Sequence, residues 1–193
     1  MQIFVSCDFY CKTVFMFNIT LLDKQFTLYI APEKIQAEVQ SIADRMNSEL
    51  KDEDVIFIGI LNGAFMFASD LLRKIDFTSQ VSFVKLTSYK GTVSSGNVKR
   101  LIGINETLKD KTVVIIEDII DTGSTIESII HQIKGFMPRQ IFVATLLLKP
   151  DLFNKDIKLD YVGFKIPKEF VVGYGLDYQG FGRNLRGLYR LEE

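Results

Sequence analysis

The chain has 193 residues, 47% of them hydrophobic and 24% charged, which suits a single globular domain with a well-buried core. Its 23 Lys and Arg against 24 Asp and Glu leave a formal net charge of -1, so no global positive field gathers polyanions and nucleic acid is excluded as the main partner. No apolar run approaches the roughly eighteen residues of a membrane span, and Asp8, Lys12 and Asn18 interrupt the opening segment where a secretory leader would be continuous.

Cys7 and Cys11 lie close together without a second pair or a histidine at zinc-finger spacing, and read as reduced thiols of a cytoplasmic protein. Met16 offers a second start, so residues 1–15, within an opening segment 1–20, read either as an N-terminal extension upstream of the natural start or as part of the natural protein. Over 31–50 the apolar positions Ile35, Val39, Ile42, Ala43, Met46 and Leu50 recur at helical spacing, with Pro32 in the opening turn. The run VIFIGIL at 55–61 predicts a buried strand. Residues 62–75 read as a loop turning into a helix, and 81–89 as the next strand.

The segment 87–100 is rich in Gly, Ser, Thr and Lys, which predicts a mobile loop or a long hairpin. Residues 111–135 predict a strand, a sharp turn and a helix carried by Ile126, Ile129, Ile130 and Ile133, and 141–150 a further buried strand closed by Pro150. Repeated βα units of this kind predict an α/β fold, a mostly parallel sheet flanked by helices. Beyond Pro150 the apolar runs shorten and glycine becomes frequent, so 151–193 read as a small cap or hood within one domain spanning 1–193.

VVIIEDIIDTGST, residues 113–125, carries the most chemistry. Its β-branched strand ends in Glu117 and Asp118, at the carboxyl edge of a parallel sheet where open α/β folds bind ligands. Two adjacent acids suit the paired hydroxyls of a sugar, or a cation bound to it; taken alone they are equally surface charge. Asp121, Thr122, Gly123, Ser124 and Thr125 then lead into a helix, a concavity of backbone N–H groups and hydroxyls that suits a phosphate monoester. The alternative is a plain turn in which Asp121 or Thr122 caps the helix. Neither a Walker A loop nor a dinucleotide fingerprint is present.

The whole string resembles the phosphoribosyl diphosphate motif of the type I phosphoribosyltransferases, and further segments between Phe26 and Arg190 resemble the hypoxanthine-guanine phosphoribosyltransferases. The resemblance implies that Glu117 and Asp118 contact ribose hydroxyls and that 121–125 hold the 5-phosphate. Asp121 would lie near N7 of a purine as general base. LNGAFMF from Leu61 is similar to the family's pyrophosphate loop, with a non-proline cis peptide before Asn62; Gly63 suits close approach of an anion, and Asn62 stands where lysine is commoner. Read alone, Asn62 is a helix cap.

SYKG is similar to the family's mobile catalytic loop, which makes Ser88 and Tyr89 candidates to fold over the reaction centre. Lys149, by residue type a snorkelling lysine at a strand end, would donate to the 6-oxo group of the base. Phe170, otherwise a core aromatic, would stack on the base, Val171 would bond its edge through the backbone, and Asp177 would sit near the exocyclic position and a magnesium-bound water. Arg183, otherwise surface charge, would approach the leaving pyrophosphate. His131, the only histidine, reads as a surface or packing residue.

The implied activity is magnesium-dependent transfer of 5-phosphoribosyl from 5-phosphoribosyl 1-diphosphate to N9 of hypoxanthine or guanine, with Mg2+ near Glu117, Asp118 and Asp177. A homodimer or homotetramer is implied as well. The alternatives are a transferase for xanthine or another base, and a non-catalytic sensor of phosphoribosyl diphosphate.

Overall fold

Pro32 opens α1 (Pro32–Leu50) with its φ already helical and no N–H to leave unpaired. The computed structural model describes residues 18–89 and 98–192, with backbone alone at 86–89 and 98–102. The six apolar positions that predicted α1 are its buried face, the full burial of each except Ala43 contributing about 1.5 to 3 kcal/mol. β3 (Val55–Leu61), β4 (Gln80–Tyr89), β6 (Thr112–Ile120), β7 (Gln140–Leu148) and β8 (Tyr161–Lys165) are parallel neighbours in the order β4-β3-β6-β7-β8. β5 (Val98–Ile102) adds an antiparallel edge beside β4, Tyr89 facing Val98. The flanks of the Gly- and Ser-rich segment thus form a hairpin; 90–97, read as its mobile part, lie outside the described residues.

β3 and β6 are apolar without interruption because both faces are covered. Val55, Phe57, Val114 and Ile116 pack under α1 and α2 (Phe65–Leu72). Ile56, Ile58, Val113 and Ile115 pack against Ile126, Ile129 and Ile133 of α3 (Ser124–Lys134).

A second, antiparallel sheet of four strands forms the hood, in the order β1-β2-β10-β9, from β1 (Asn18–Leu21), β2 (Lys24–Ile30), β9 (Val171–Val172) and β10 (Leu188–Leu191). Two readings are corrected here. Residues 161–165, assigned to the hood, are the edge strand β8 of the large sheet, because Tyr161 is fully buried in the main core opposite Ala144. The hood also draws on the N-terminal part of the chain: Phe26 and Ile19 close a small core with Val172 and Tyr189.

Candidate active site

Parallel strands deliver their carboxyl ends to one edge of the sheet, and β6 brings Glu117 and Asp118 there, level with Thr145 of β7. Asp118 is 8% exposed and its Oδ1 accepts a 2.9 Å hydrogen bond from its neighbour, the Ile119 N–H. Oε2 of Glu117 is fully buried with no partner among the described residues. Burial pushes the Asp118 carboxyl up. Burial, then the adjacent Asp118 charge and the hydrogen bond to it, hold Glu117 well above the carboxylate range. Glu117 is therefore the member of the pair that keeps its proton to higher pH.

The turn after β6 bends at Gly123, φ 83°, into the first turn of α3. No side chain caps that helix: Thr122 Oγ1 turns to Ser124 Oγ at 3.2 Å and meets the Ser124 N–H only at 3.4 Å. The capped-turn alternative is thus not realised, which leaves the positive end of α3 facing a cavity of about 110 Å³. Glu117, Asp121, Thr122, Gly123 and Thr125 line it with Ile119, Ile120 and Ile126; Ser124 does not.

A second cavity, about 290 Å³, adjoins the first through Asp121 and Ile119, which line both. Gly63, Asp118, Lys149, Phe170, Val171, Asp177 and Arg183 converge on it from four separate stretches of chain, with Leu176. Lys149, 9% exposed, directs Nζ to Asp121 Oδ1 at 2.9 Å instead of snorkelling to solvent. Phe170 is 46% exposed, so it is not a core aromatic, whereas Val171 beside it is buried in β9. Arg183 is held by Asp177 Oδ1 at 2.5 Å and the Gly175 carbonyl at 2.6 Å. Oδ2 of Asp177 accepts from the Gly180 N–H at 2.6 Å.

Leu61 ends β3, and its peptide bond to Asn62 is cis, as the resemblance implies. The helix that follows starts at Phe65 behind Ala64 without a side-chain cap, so Asn62 is not one; its side chain is exposed and lines neither cavity. Gly63 is held by contact: a Cβ there would stand 1.6 Å from Asp118 Oδ2. Ser88 and Tyr89 close β4 as backbone, and their side chains lie outside the described residues.

Among the described residues, no three carboxylates, histidines or cysteines gather to hold a metal ion. Asp177, expected with Glu117 and Asp118 near Mg2+, is turned to Arg183 and Gly180. A cation held chiefly by a ligand's own oxygens, with the unpartnered Glu117 Oε2 and Asp118 nearby, is the arrangement these donors fit.

A larger cavity of about 670 Å³ lies on the hood along Thr27, Glu169, Phe170 and Arg190. It contains neither the acid pair, nor the turn at 121–125, nor Lys149, which line the two smaller ones. Ile119, Ile120, Ile126 and Leu176 are lining residues that sequence reasoning did not place in the site, and of these Ile119 alone lines both cavities. It stood in the sequence as one of two apolar spacers between the acids and Asp121, and its only signal was that fixed spacing.

Residues 29–179 match the phosphoribosyl transferase domain family. A hypoxanthine-guanine phosphoribosyltransferase of Staphylococcus epidermidis is 40% identical over 157 residues, 81% of this chain and 88% of that protein. The bifunctional protein TilS/HprT of Listeria monocytogenes is 39% identical over 157 residues, and the chain spans only 24% of its length. Among solved structures, a hypoxanthine phosphoribosyltransferase from Staphylococcus aureus superposes with a TM-score of 0.79 at 36% identity, covering 86% of this chain and 90% of that one. The family match over most of the chain, together with a 40% identical relative of which it covers 88%, makes this chain a type I phosphoribosyltransferase, a member of the hypoxanthine-guanine phosphoribosyltransferase family.

Proposed function

We propose that the chain transfers the 5-phosphoribosyl group of 5-phosphoribosyl 1-diphosphate to N9 of hypoxanthine or guanine, releasing diphosphate and IMP or GMP. The observation that carries this reading is the shared wall of the two cavities. Asp121 and Ile119 line both, so a phosphate on the turn and a flat base beside Phe170 lie on one sugar's reach of each other.

In this reading the 5-phosphate sits against 121–125 at the uncapped start of α3, and the ribose hydroxyls meet Glu117 and Asp118. Phe170 stacks on the base, the Val171 backbone bonds its edge, and Lys149 leaves Asp121 to donate to the 6-oxo group. A 6-amino group, being a donor, offers Lys149 nothing. As the bond from C1′ to diphosphate oxygen breaks and the bond to N9 forms, the anomeric carbon inverts and Asp121 takes the N7 proton. Arg183 and the backbone at Leu61, Asn62 and Gly63 stand on the side where the diphosphate leaves, and Ser88 and Tyr89 belong to the closing loop. Mg2+, when bound, neutralises charge on the leaving diphosphate; Glu117 and Asp118, with Asp177 through water, are the residues to hold it.

The same reading includes self-association as a homodimer or homotetramer, supported by the exposed Phe65, just after the 61–63 loop, and the exposed Val81 and Phe83 of β4. It also includes a cytoplasmic location; no helix of the described residues is long and apolar enough to cross a membrane.

Diphosphate release with phosphoribosyl diphosphate and Mg2+ tests the reading, with hypoxanthine, guanine, xanthine and adenine in parallel. Turnover with hypoxanthine and guanine, and none with adenine, is expected. Release with none of the four would make the chain a phosphoribosyl diphosphate sensor, and a preference for xanthine would reassign the base.

A further inference from the structure

Phe170 is 46% exposed and lines the second cavity, and two other aromatic rings flank it. Phe26 of β2, fully buried, lies 6.2 Å away and tilted. Tyr178 meets Phe170 edge to face at 6.0 Å, with the ring planes 85° apart, and is itself 6.2 Å from Phe26. Edge-to-face pairs of this spacing are favourable beyond the area they bury, because the positive rim of one ring meets the negative face of the other.

Tyr178 is in turn fixed from two sides. Its backbone pairs with Phe181 in a tight turn, Tyr178 N–H to Phe181 O at 2.9 Å and the reverse at 3.0 Å. Its hydroxyl donates to Asp23 Oδ1 at 2.9 Å, in the turn between β1 and β2, and Lys24 Nζ lies 5.9 Å from the ring. The line of contacts therefore runs from the β1–β2 turn through Tyr178 to the ring of Phe170. None of Asp23, Phe26 and Tyr178 touches the cavity itself.

We propose that Tyr178, tethered by Asp23, is a positioning residue that sets the orientation of Phe170 and so determines affinity for the base. This rests on the reading of Phe170 as the stacking wall. An exposed phenyl ring free to turn about χ1 and χ2 must be immobilised when a base binds; a ring already held loses less freedom and binds more tightly. The base term is the one affected, since among the described residues the hydrogen-bond and ring-contact partners of Tyr178 are Asp23, Lys24, Phe26, Phe170 and Phe181, and none belongs to the acid pair or to the turn between β6 and α3.

The test is steady-state kinetics of the full chain with the base and phosphoribosyl diphosphate varied separately. Tyr178→Leu should raise KM for hypoxanthine about 3- to 10-fold, with KM for phosphoribosyl diphosphate and kcat within about twofold. Tyr178→Phe keeps the ring and removes the tether, so it should show a smaller rise in the same constant. Asp23→Ala should match Tyr178→Phe, and the double variant should be no worse than either. Phe170→Leu separates the two levels of the argument. If it leaves KM for the base unchanged, the stacking reading fails and the brace with it. If it raises that KM while Tyr178→Phe and Asp23→Ala change nothing, the brace alone is overturned. Should Tyr178→Leu not fold, the Phe and Asp23 variants decide the matter.

Discussion

Glu117 and Asp118 occupy adjacent positions with opposed surroundings, and their protonation follows from that. Burial is the first cause that raises both, and the Asp118 charge raises Glu117 further. For a carboxyl whose folded pKa exceeds its unfolded value, the folded state holds more protons between the two values. Its stabilisation is complete below the unfolded carboxylate pKa, about 4, and is lost as pH rises through the folded value. The ligand-free protein should therefore melt at progressively lower temperature from pH 5 upwards, measured by calorimetry. Glu117→Gln removes the charge that cannot be solvated; it should flatten that slope and raise Tm at pH 8 by about 2 to 4 °C, while weakening phosphoribosyl diphosphate binding. A steeper slope in the variant would contradict the assignment of the proton to Glu117. That two acids end β6 was legible in the sequence, since adjacency is a local property. Their coupling was not, because it depends on how far water is kept from each oxygen.

At the scale of elements, the loop after β3 and the hood loop before Asp177 lie directly on one another. A Cβ on Gly175 would stand 2.0 Å from the Gly63 carbonyl oxygen, at a backbone φ of 102°. A Cβ on Gly63 meets the end of a side chain, Asp118; one on Gly175 meets backbone, which cannot turn aside. The two substitutions should thus differ in kind. Gly63→Ala displaces the Asp118 carboxylate and should raise KM for phosphoribosyl diphosphate at least about tenfold with a small change in Tm, the buried acid being redirected and not removed. Gly175→Ala combines backbone strain with a clash and should cost about 1 to 3 kcal/mol of stability, read from denaturant midpoints. Sequence reasoning singled out Gly63 for a reason of its own, anion approach. The contact with Asp118 joins the loop after β3 to a residue of β6 and has no local signature. Lys149 is a parallel case: the strand end that carries it was predicted, but its partner Asp121 comes from the neighbouring strand's turn.

For the molecule as a whole, Val171 reaches the second cavity from a hood woven from 18–30 and 171–191, so that cavity forms only when distant parts of the chain meet. A ligand that bridges the acid pair, the phosphate turn and the 61–63 loop should stabilise that assembly by mass action. Saturating phosphoribosyl diphosphate with Mg2+ is expected to raise Tm by about 5 °C or more, and removal of divalent cations with EDTA to abolish most of the shift. A full shift in EDTA would show that the protein's own groups hold the diphosphate without a cation.

The sequence by itself determined the alternation of strands and helices, the carboxyl-edge location of Glu117 and Asp118, and the sharp turn from Asp121 into α3, because each is written in consecutive residues. Hydrophobic runs report burial, and a turn's chemistry lies in the turn. Tertiary structure alone decided that Tyr161–Lys165 extends the large sheet, that β2 pairs with β10 from the other end of the chain, and that Asp121 and Ile119 serve two cavities at once. Strand pairing between remote segments is set by which register buries both faces together, a property of the assembled molecule. The aromatic contacts that orient Phe170 follow from that same pairing.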